Sequence, residues 1–351
     1  MQNDVARSRS AMVAELFPDG IPELWCPLLT HYRDERGTID VARIRAHLVH
    51  LSPVIRTFLA PGSTGDGWEM TAQQQQQLVQ QLRAIASELD LWIMMGVLRT
   101  GQGEARAAIQ QAASELQLSA GDAVTAARAL AQRRICGFTV TPPKGSDLPQ
   151  DRIHSELAQV AELGYPLSIY QLPQVTENEM TPQTVADLAQ RYPNFYLFKD
   201  TSGTDTVAAA GLDYQNVFMV RGAEQDYAHW HHTSGGPYNG FLLSTANCFA
   251  SALAEMLAAA RSGEHSAAAA VSKRISQVAG QMFSAAAELP FGNPFSNANR
   301  AIDHVFAYGS RALSEPPPLT CSGNRLPVQL LELARTELQK AEFEVNSGYL
   351  L

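Results

Sequence analysis

Phe195-Tyr196-Leu197-Phe198-Lys199-Asp200-Thr201-Ser202-Gly203 is the stretch on which the reading of this chain turns. A run of large apolar side chains ends in one lysine, and polar, turn-forming residues follow at once. The pattern predicts a buried strand that ends at Lys199 and a loop that leaves it. Side chains alternate along a strand, so Phe195, Leu197 and Lys199 share one face. A lysine there must run its head out to solvent, pair with a charge or give up its proton. In the last case it is a nucleophile toward carbonyl carbon, with a Schiff base as product. The stretch alone leaves both a solvated strand-end lysine and a reactive amine open.

Working outward, the same rhythm recurs. Strands are predicted at 24–29, 54–59, 91–97, 135–140, 167–170, 195–199, 217–221 and 240–244. Helices are predicted between them, at 40–51, 71–89, 151–163, 181–191, 204–212, 224–234 and 250–261. An Ala-rich helical segment broken near Gly121 follows the third strand. This alternation predicts an α/β fold, a closed (β/α)8 TIM barrel over 23–262. An open doubly wound sheet is the rival. Residues 1–22 read as an N-terminal extension, a short helix or a loose segment. Residues 263–351 read as a C-terminal helical appendage with a break at Pro316-Pro317-Pro318.

Composition narrows the function classes. The 351 residues are 45% hydrophobic with a formal net charge of −9, which suits a soluble core and excludes a nucleic-acid binder of the basic-stripe kind. No apolar run reaches the length of a membrane span, and the first residues show no secretory core, so the expected compartment is the cytoplasm. Cys26, Cys136, Cys248 and Cys321 lie far apart without metal-ligand spacing and read as reduced thiols. His229, His231 and His232, with Asp226 near, form a His-rich cluster that could hold a divalent metal. On a helix, however, they do not share one face, and a surface or interface helix is the plainer reading.

In a barrel the functional groups gather at the C-terminal strand ends. Those ends read Ser63 and Thr64, Gly96, Thr141, Tyr170, Lys199, Gly222 and Ser244. Small and hydroxyl residues around one lysine describe a pocket for a small polar molecule. The loop Pro61-Gly62-Ser63-Thr64-Gly65-Asp66-Gly67 lets backbone N–H groups converge in an anion nest, and lacks the ending of a nucleotide P-loop.

Five short motifs, in order, resemble the dihydrodipicolinate synthase/N-acetylneuraminate lyase family of Schiff-base aldolases and lyases. Gly62-Ser63-Thr64-Gly65-Asp66 is similar to its Gly-Thr-Thr-Gly-Glu loop, and Tyr170-Gln171-Leu172-Pro173 to its Tyr-Asn-x-Pro. Leu197 to Gly203 is similar to its lysine motif. Gly240 to Asn247 resembles its Gly-x-Ile-Ser-x-x-Ala-Asn strand, and Asn293-Pro294 its C-terminal Asn-Pro. The resemblance implies a lyase, an aldolase or hydro-lyase, whose Lys199 condenses with the ketone of a 2-oxo acid such as pyruvate or a keto-deoxy sugar acid. It implies a carboxylate held by the loop of Gly62, Ser63 and Thr64, no metal or organic cofactor, and a homotetramer or homodimer; the strand ends add Thr141, Gly222 and Ser244 to the substrate shell and Tyr170, on the strand beside that of Lys199, as the second catalytic group.

Two departures bear on this. Where the family carries its proton-shuttle tyrosine, in Thr-Pro-Tyr-Tyr, this chain reads Thr141-Pro142-Pro143-Lys144. Gly103 to Leu118 also holds no tyrosine to lend to a neighbouring subunit. Proline has no proton to give, which leaves Tyr170, Thr64, Lys144 or the substrate carboxylate for that task. The alternative is a non-catalytic barrel of the same fold that binds a small acid or serves in an assembly.

Overall fold

Short parallel strands lie where the apolar runs are: β1 Leu24–Pro27, β2 Thr57–Ala60, β3 Trp92–Val97, β4 Ile135–Val140, β5 Leu167–Gln171, β6 Phe195–Asp200, β7 Phe218–Arg221 and β8 Gly240–Leu242. A computed structural model describes residues 2–118 and 121–350. The strands close in chain order into a barrel, which removes the open-sheet rival. Every residue of β1, β2, β4, β5 and β6 is buried, as parallel strands covered on both faces require.

The helices before and between the strands are α1 Gln2–Leu16, α2 Val41–Leu51, α3 Ala72–Leu89, α4 Glu104–Glu115, α5 Ala123–Ala131, α6 Gln150–Ala161, α7 Pro173–Thr176, α8 Pro182–Arg191, α9 Thr206–Ala209 and α10 Tyr227–Trp230. After β8 come α11 Ala246–Arg261, α12 His265–Ala287, α13 Pro294–Tyr308 and α14 Val328–Lys340. Local chemistry sets several starts. Thr71 closes a capping box with Gln74 at the head of α3, and Thr181 caps α8 ahead of its first-turn proline. The glutamine tract 73–77 lies on the unburied side of α3.

Some expected bounds move. β2 begins three residues late, because the amides of Val54 and Ile55 donate to the Leu51 carbonyl in the turn that closes α2. β8 stops at Leu242, so Ser244 sits in the turn beyond it. The helix expected over 224–234 is only α10 followed by a single 3-10 turn, with His231 extended between them. The helix expected over 204–212 shrinks to α9.

The chain divides into two compact units. One holds the chain up to Glu23, Trp92–Ala223 and Pro237–Phe241, and so carries β3 to β7. There α1 is no loose extension. It packs on α5 and α8, and its Arg9, 1% exposed, donates to the carbonyls of Phe195 at 2.5 Å, Ala189 at 2.6 Å, Tyr192 at 2.9 Å and also Gln215. Burial pulls this guanidinium down to about 10, against the opposing pull of Asp213. The other unit holds Leu24–Leu91, Glu224–Gly236 and Leu242–Leu351, with β1, β2 and the C-terminal helices. The proline break is there, followed by an isolated bridge between Leu319 and Arg325 ahead of α14.

Candidate active site

In the first unit β5 and β6 pair so that Tyr170 lies directly across from Lys199. Both side chains therefore leave the sheet on the same face, as alternation predicts. Lys199 is 4% exposed. Among the described residues its ammonium makes no ion pair, and its neighbour is the Tyr170 ring, 4.0 Å from nitrogen to centroid. A cation over a tyrosine face gains about 0.5–2 kcal/mol. The Tyr170 hydroxyl has no hydrogen-bond partner among the described residues. Gly222 closes the other side: a Cβ there would lie 2.7 Å from Lys199 Cε and 2.4 Å from Thr201 Cγ2. Thr141, at the end of β4, is 3% exposed, and its hydroxyl is buried without a partner.

The opposite face of the same strands is polar and hydrogen-bonded around Asp200. Asp200 accepts from the Ser202 amide at 2.9 Å and its hydroxyl at 2.6 Å. Burial pushes the Asp200 carboxyl up, against the Ser202 bonds that pull it down. Asp205 takes a forked pair from Arg221, at 2.9 and 3.0 Å, and the Tyr238 hydroxyl at 2.6 Å. This network braces the loop that follows Lys199. Asp205, Arg221 and Tyr238 escaped the sequence reading, because one arginine, one tyrosine and one aspartate spread over 34 residues carry no local pattern.

In the second unit the loop after β2 forms a 3-10 turn over Ser63–Gly65. Its later amides turn inward: Gly65 and Gly67 donate to the Gly62 carbonyl and Asp66 to that of Ser63. The amides of Ser63 and Thr64 are left without an acceptor among the described residues. The Ser63 hydroxyl accepts from Trp68 Nε1 at 2.9 Å. Ser244 is committed differently. Its hydroxyl donates to Glu224 at 2.6 Å and accepts from Asn299 at 2.9 Å. Glu224 also accepts from the Thr245 hydroxyl at 2.7 Å and from Tyr227 at 2.9 Å, so both its oxygens are engaged.

The Dihydrodipicolinate synthetase family model matches residues 23–292. The chain belongs to this family. A 4-hydroxy-tetrahydrodipicolinate synthase of Parasynechococcus marenigrum (strain WH8102) is 29% identical over 176 residues, 49% of this chain and 51% of that protein. A synthase of the same name from Xanthomonas campestris pv. campestris is 28% identical over 181 residues, 49% of this chain and 59% of its own. The chain thus spans 51% and 59% of the length of the curated relatives it matches. Among solved structures, YagE, described as a prophage protein of the dihydrodipicolinic acid synthase family from E. coli K12 in complex with pyruvate, shares the fold at a TM-score of 0.66 and 19% identity, over 92% of this chain and 100% of that one.

In this member of the dihydrodipicolinate synthetase family the Pro143 carbonyl accepts from Asn178 Nδ2 at 2.8 Å. Thr141 and Pro143 line a cavity of about 10 Å³, room for one water. Lys144 pairs with Glu177 at 2.9 Å, both about half exposed. His229 and His232 are exposed while His231 is buried against Thr233, so the three do not converge. The metal-type donors that do converge among the described residues are His31, His47 and Asp303, within 4.8 Å of one another. Both ring nitrogens of His47 and the Nε2 of His31 are engaged in hydrogen bonds. The Asn247 carbonyl can only accept, so His47 donates to it through Nε2 at 2.9 Å and its Nδ1 receives His31 Nε2 at 3.1 Å. Arg43 rests on the Asp303 carboxylate, and the Tyr349 hydroxyl donates to it at 2.6 Å. No helix among the described residues is long and apolar enough to cross a membrane.

Proposed function

We propose that this chain is a Schiff-base lyase, an aldolase or hydro-lyase, acting on a 2-oxo acid through Lys199. The observation that carries the reading is a buried lysine whose nitrogen meets an aromatic face and no carboxylate. The unprotonated amine adds to the C2 carbonyl, and loss of water leaves an iminium carbon that draws electrons from C3. Loss of a C3 proton then gives an enamine, which adds to an aldehyde; the reverse sequence cleaves the same bond. Gly62, Ser63 and Thr64 are assigned to the carboxylate of the acid, supported by the two unengaged amides. Thr141 and Gly222 are assigned to the substrate shell. Ser244 is assigned there with a mainly bracing part. Tyr170 is the proposed proton carrier, supported by its unpartnered hydroxyl.

The iminium formed on Lys199 is the electron sink in this scheme, so neither metal nor organic cofactor is assigned a part. We place the protein in the cytoplasm on its four thiols, none in a disulfide, and assign it a homotetramer or homodimer on family grounds. A second reading, a small-acid binder without turnover, draws on Pro143, which has no proton to give. Pyruvate and borohydride decide between them: the lyase reading expects a mass increase on the peptide containing Lys199, unaffected by EDTA. Absence of an adduct with a broad set of 2-oxo acids would leave the binder.

A further inference from the structure

The Ser63–Gly65 turn does not hold itself in place. The C-terminal helix α13 reaches it at two points. Asn293 caps that helix by accepting from the amides of Phe295 and Ser296, which sets Ser296 in the first turn. Ser296, 0% exposed, donates its hydroxyl to the Ser63 carbonyl at 3.1 Å. One turn on, at i+4 and hence on the same helix face, stands Arg300, 1% exposed. Its Nη2 donates to Asp66 at 2.7 Å and to the Thr30 carbonyl at 3.1 Å. Asp66 ends the turn with φ at +60°, a left-handed conformation that aspartate takes more readily than most side chains. The Cys321 amide, at 3.2 Å from the same Asp66 oxygen, adds a second clamp.

A peptide unit is planar and trans, so its C=O and the next N–H point in opposite directions. Fixing the Ser63 carbonyl on Ser296 therefore aims the Thr64 amide away from α13. We propose that Ser296 and Arg300 are positioning residues for the carboxylate nest, and that α13 sets the affinity of the site for a 2-oxo acid. The proposal rests on the reading of that turn as the nest. It gives the C-terminal region a part in binding: the Asn293-Pro294 start of α13 matters because it fixes where Ser296 falls.

The test reads half-saturation by pyruvate in two ways. One is borohydride trapping on Lys199, and the other is the thermal shift produced by pyruvate in Lys199→Ala, where no imine forms. Ser296→Ala removes one hydrogen bond and little else, and the expected rise in half-saturation is about 3- to 10-fold. Arg300→Lys keeps the charge and loses the guanidinium nitrogen that reaches both Asp66 and the Thr30 carbonyl, with an expected rise of about 10- to 100-fold. In both, the amount trapped at saturation and the rate of trapping at saturation stay at the wild-type level, a split that general unfolding does not produce. Ser296→Ala guards the test should Arg300→Lys fail to fold. Unchanged half-saturation in folded Ser296→Ala overturns the positioning role and leaves the Schiff-base reading intact. A wild type that shows the shift but no trapping, with the shift weakened in Ser296→Ala, overturns the Schiff base and keeps the positioning role. A wild type with neither overturns both.

Discussion

Lys199 and Asp303 place an amine and a carboxyl at similarly buried positions, 4% and 1% exposed, and their surroundings differ in kind. Asp303 is met from every side: Arg43 on one oxygen, the Tyr349 hydroxyl at 2.6 Å on the other, with His47 at 3.5 Å and His31 at 3.8 Å. Burial alone would raise its carboxyl; Arg43, then the two histidines, outweigh that and hold it well below the usual carboxylate range. Lys199 has an aromatic face in place of a counter-ion. A buried charge with a complete set of partners is architecture, since removing one partner strands the other. A buried amine without one is left available to chemistry, which is why such groups mark functional sites.

The largest effect belongs to Lys199. Lys199→Ala and Lys199→Arg should abolish borohydride trapping altogether, the arginine because it keeps the charge and lacks a nucleophilic amine. Tyr170→Phe keeps the ring against the lysine and removes only the hydroxyl. Turnover should fall about 10²–10⁴-fold while trapping persists; wild-type turnover would mean that the proton travels through another group.

On the paired side of the comparison the expected loss is in stability. Asp303→Ala strands a buried Arg43 and should cost about 3–5 kcal/mol in urea unfolding, with Lys199 still trapped in the folded fraction. A change below about 1 kcal/mol would show that the cluster is not the closed network described.

The smallest effect is one of pH. Burial holds His31, ahead of the charge of Arg43, and His47 below the ordinary 6.5, so the unfolded chain binds more protons than the folded one as pH drops. Stability should therefore fall from about pH 6.5 downward, by up to about 1.4 kcal/mol per pH unit for each histidine kept neutral. Asp303 adds a second loss below its ordinary 3.8, where the unfolded carboxyl protonates first. His31→Asn should make the upper slope shallower by about one proton; an unchanged slope would remove His31 from the account.

The barrel was legible because its signal is local and repeated. Each strand is an apolar run with a turn behind it, and period and order survive without knowledge of contacts. The caps at Thr71 and Thr181 and the strand over 135–140 emerged as read, and the strand over 195–199 runs one residue further, to Asp200. Strand ends were blurred where a turn competes for the same backbone groups, as at Val54. The histidines 229 to 232 drew attention by clustering in sequence, and the fold parts them; His31, His47 and Asp303 draw none, and the fold joins them.

Residue type and spacing determined on their own that Lys199 ends a buried strand and that a glycine-rich turn follows β2, because a strand's alternation and a turn's torsions act over a few residues. Only the tertiary structure decided that Lys199 meets a tyrosine ring, that Arg9 of the first helix grips the carbonyls at the start of β6, and that Ser296 and Arg300 hold a turn more than 230 residues away. Such pairings depend on which side chains the closed chain brings together, and a single sequence carries no periodic trace of a contact made once.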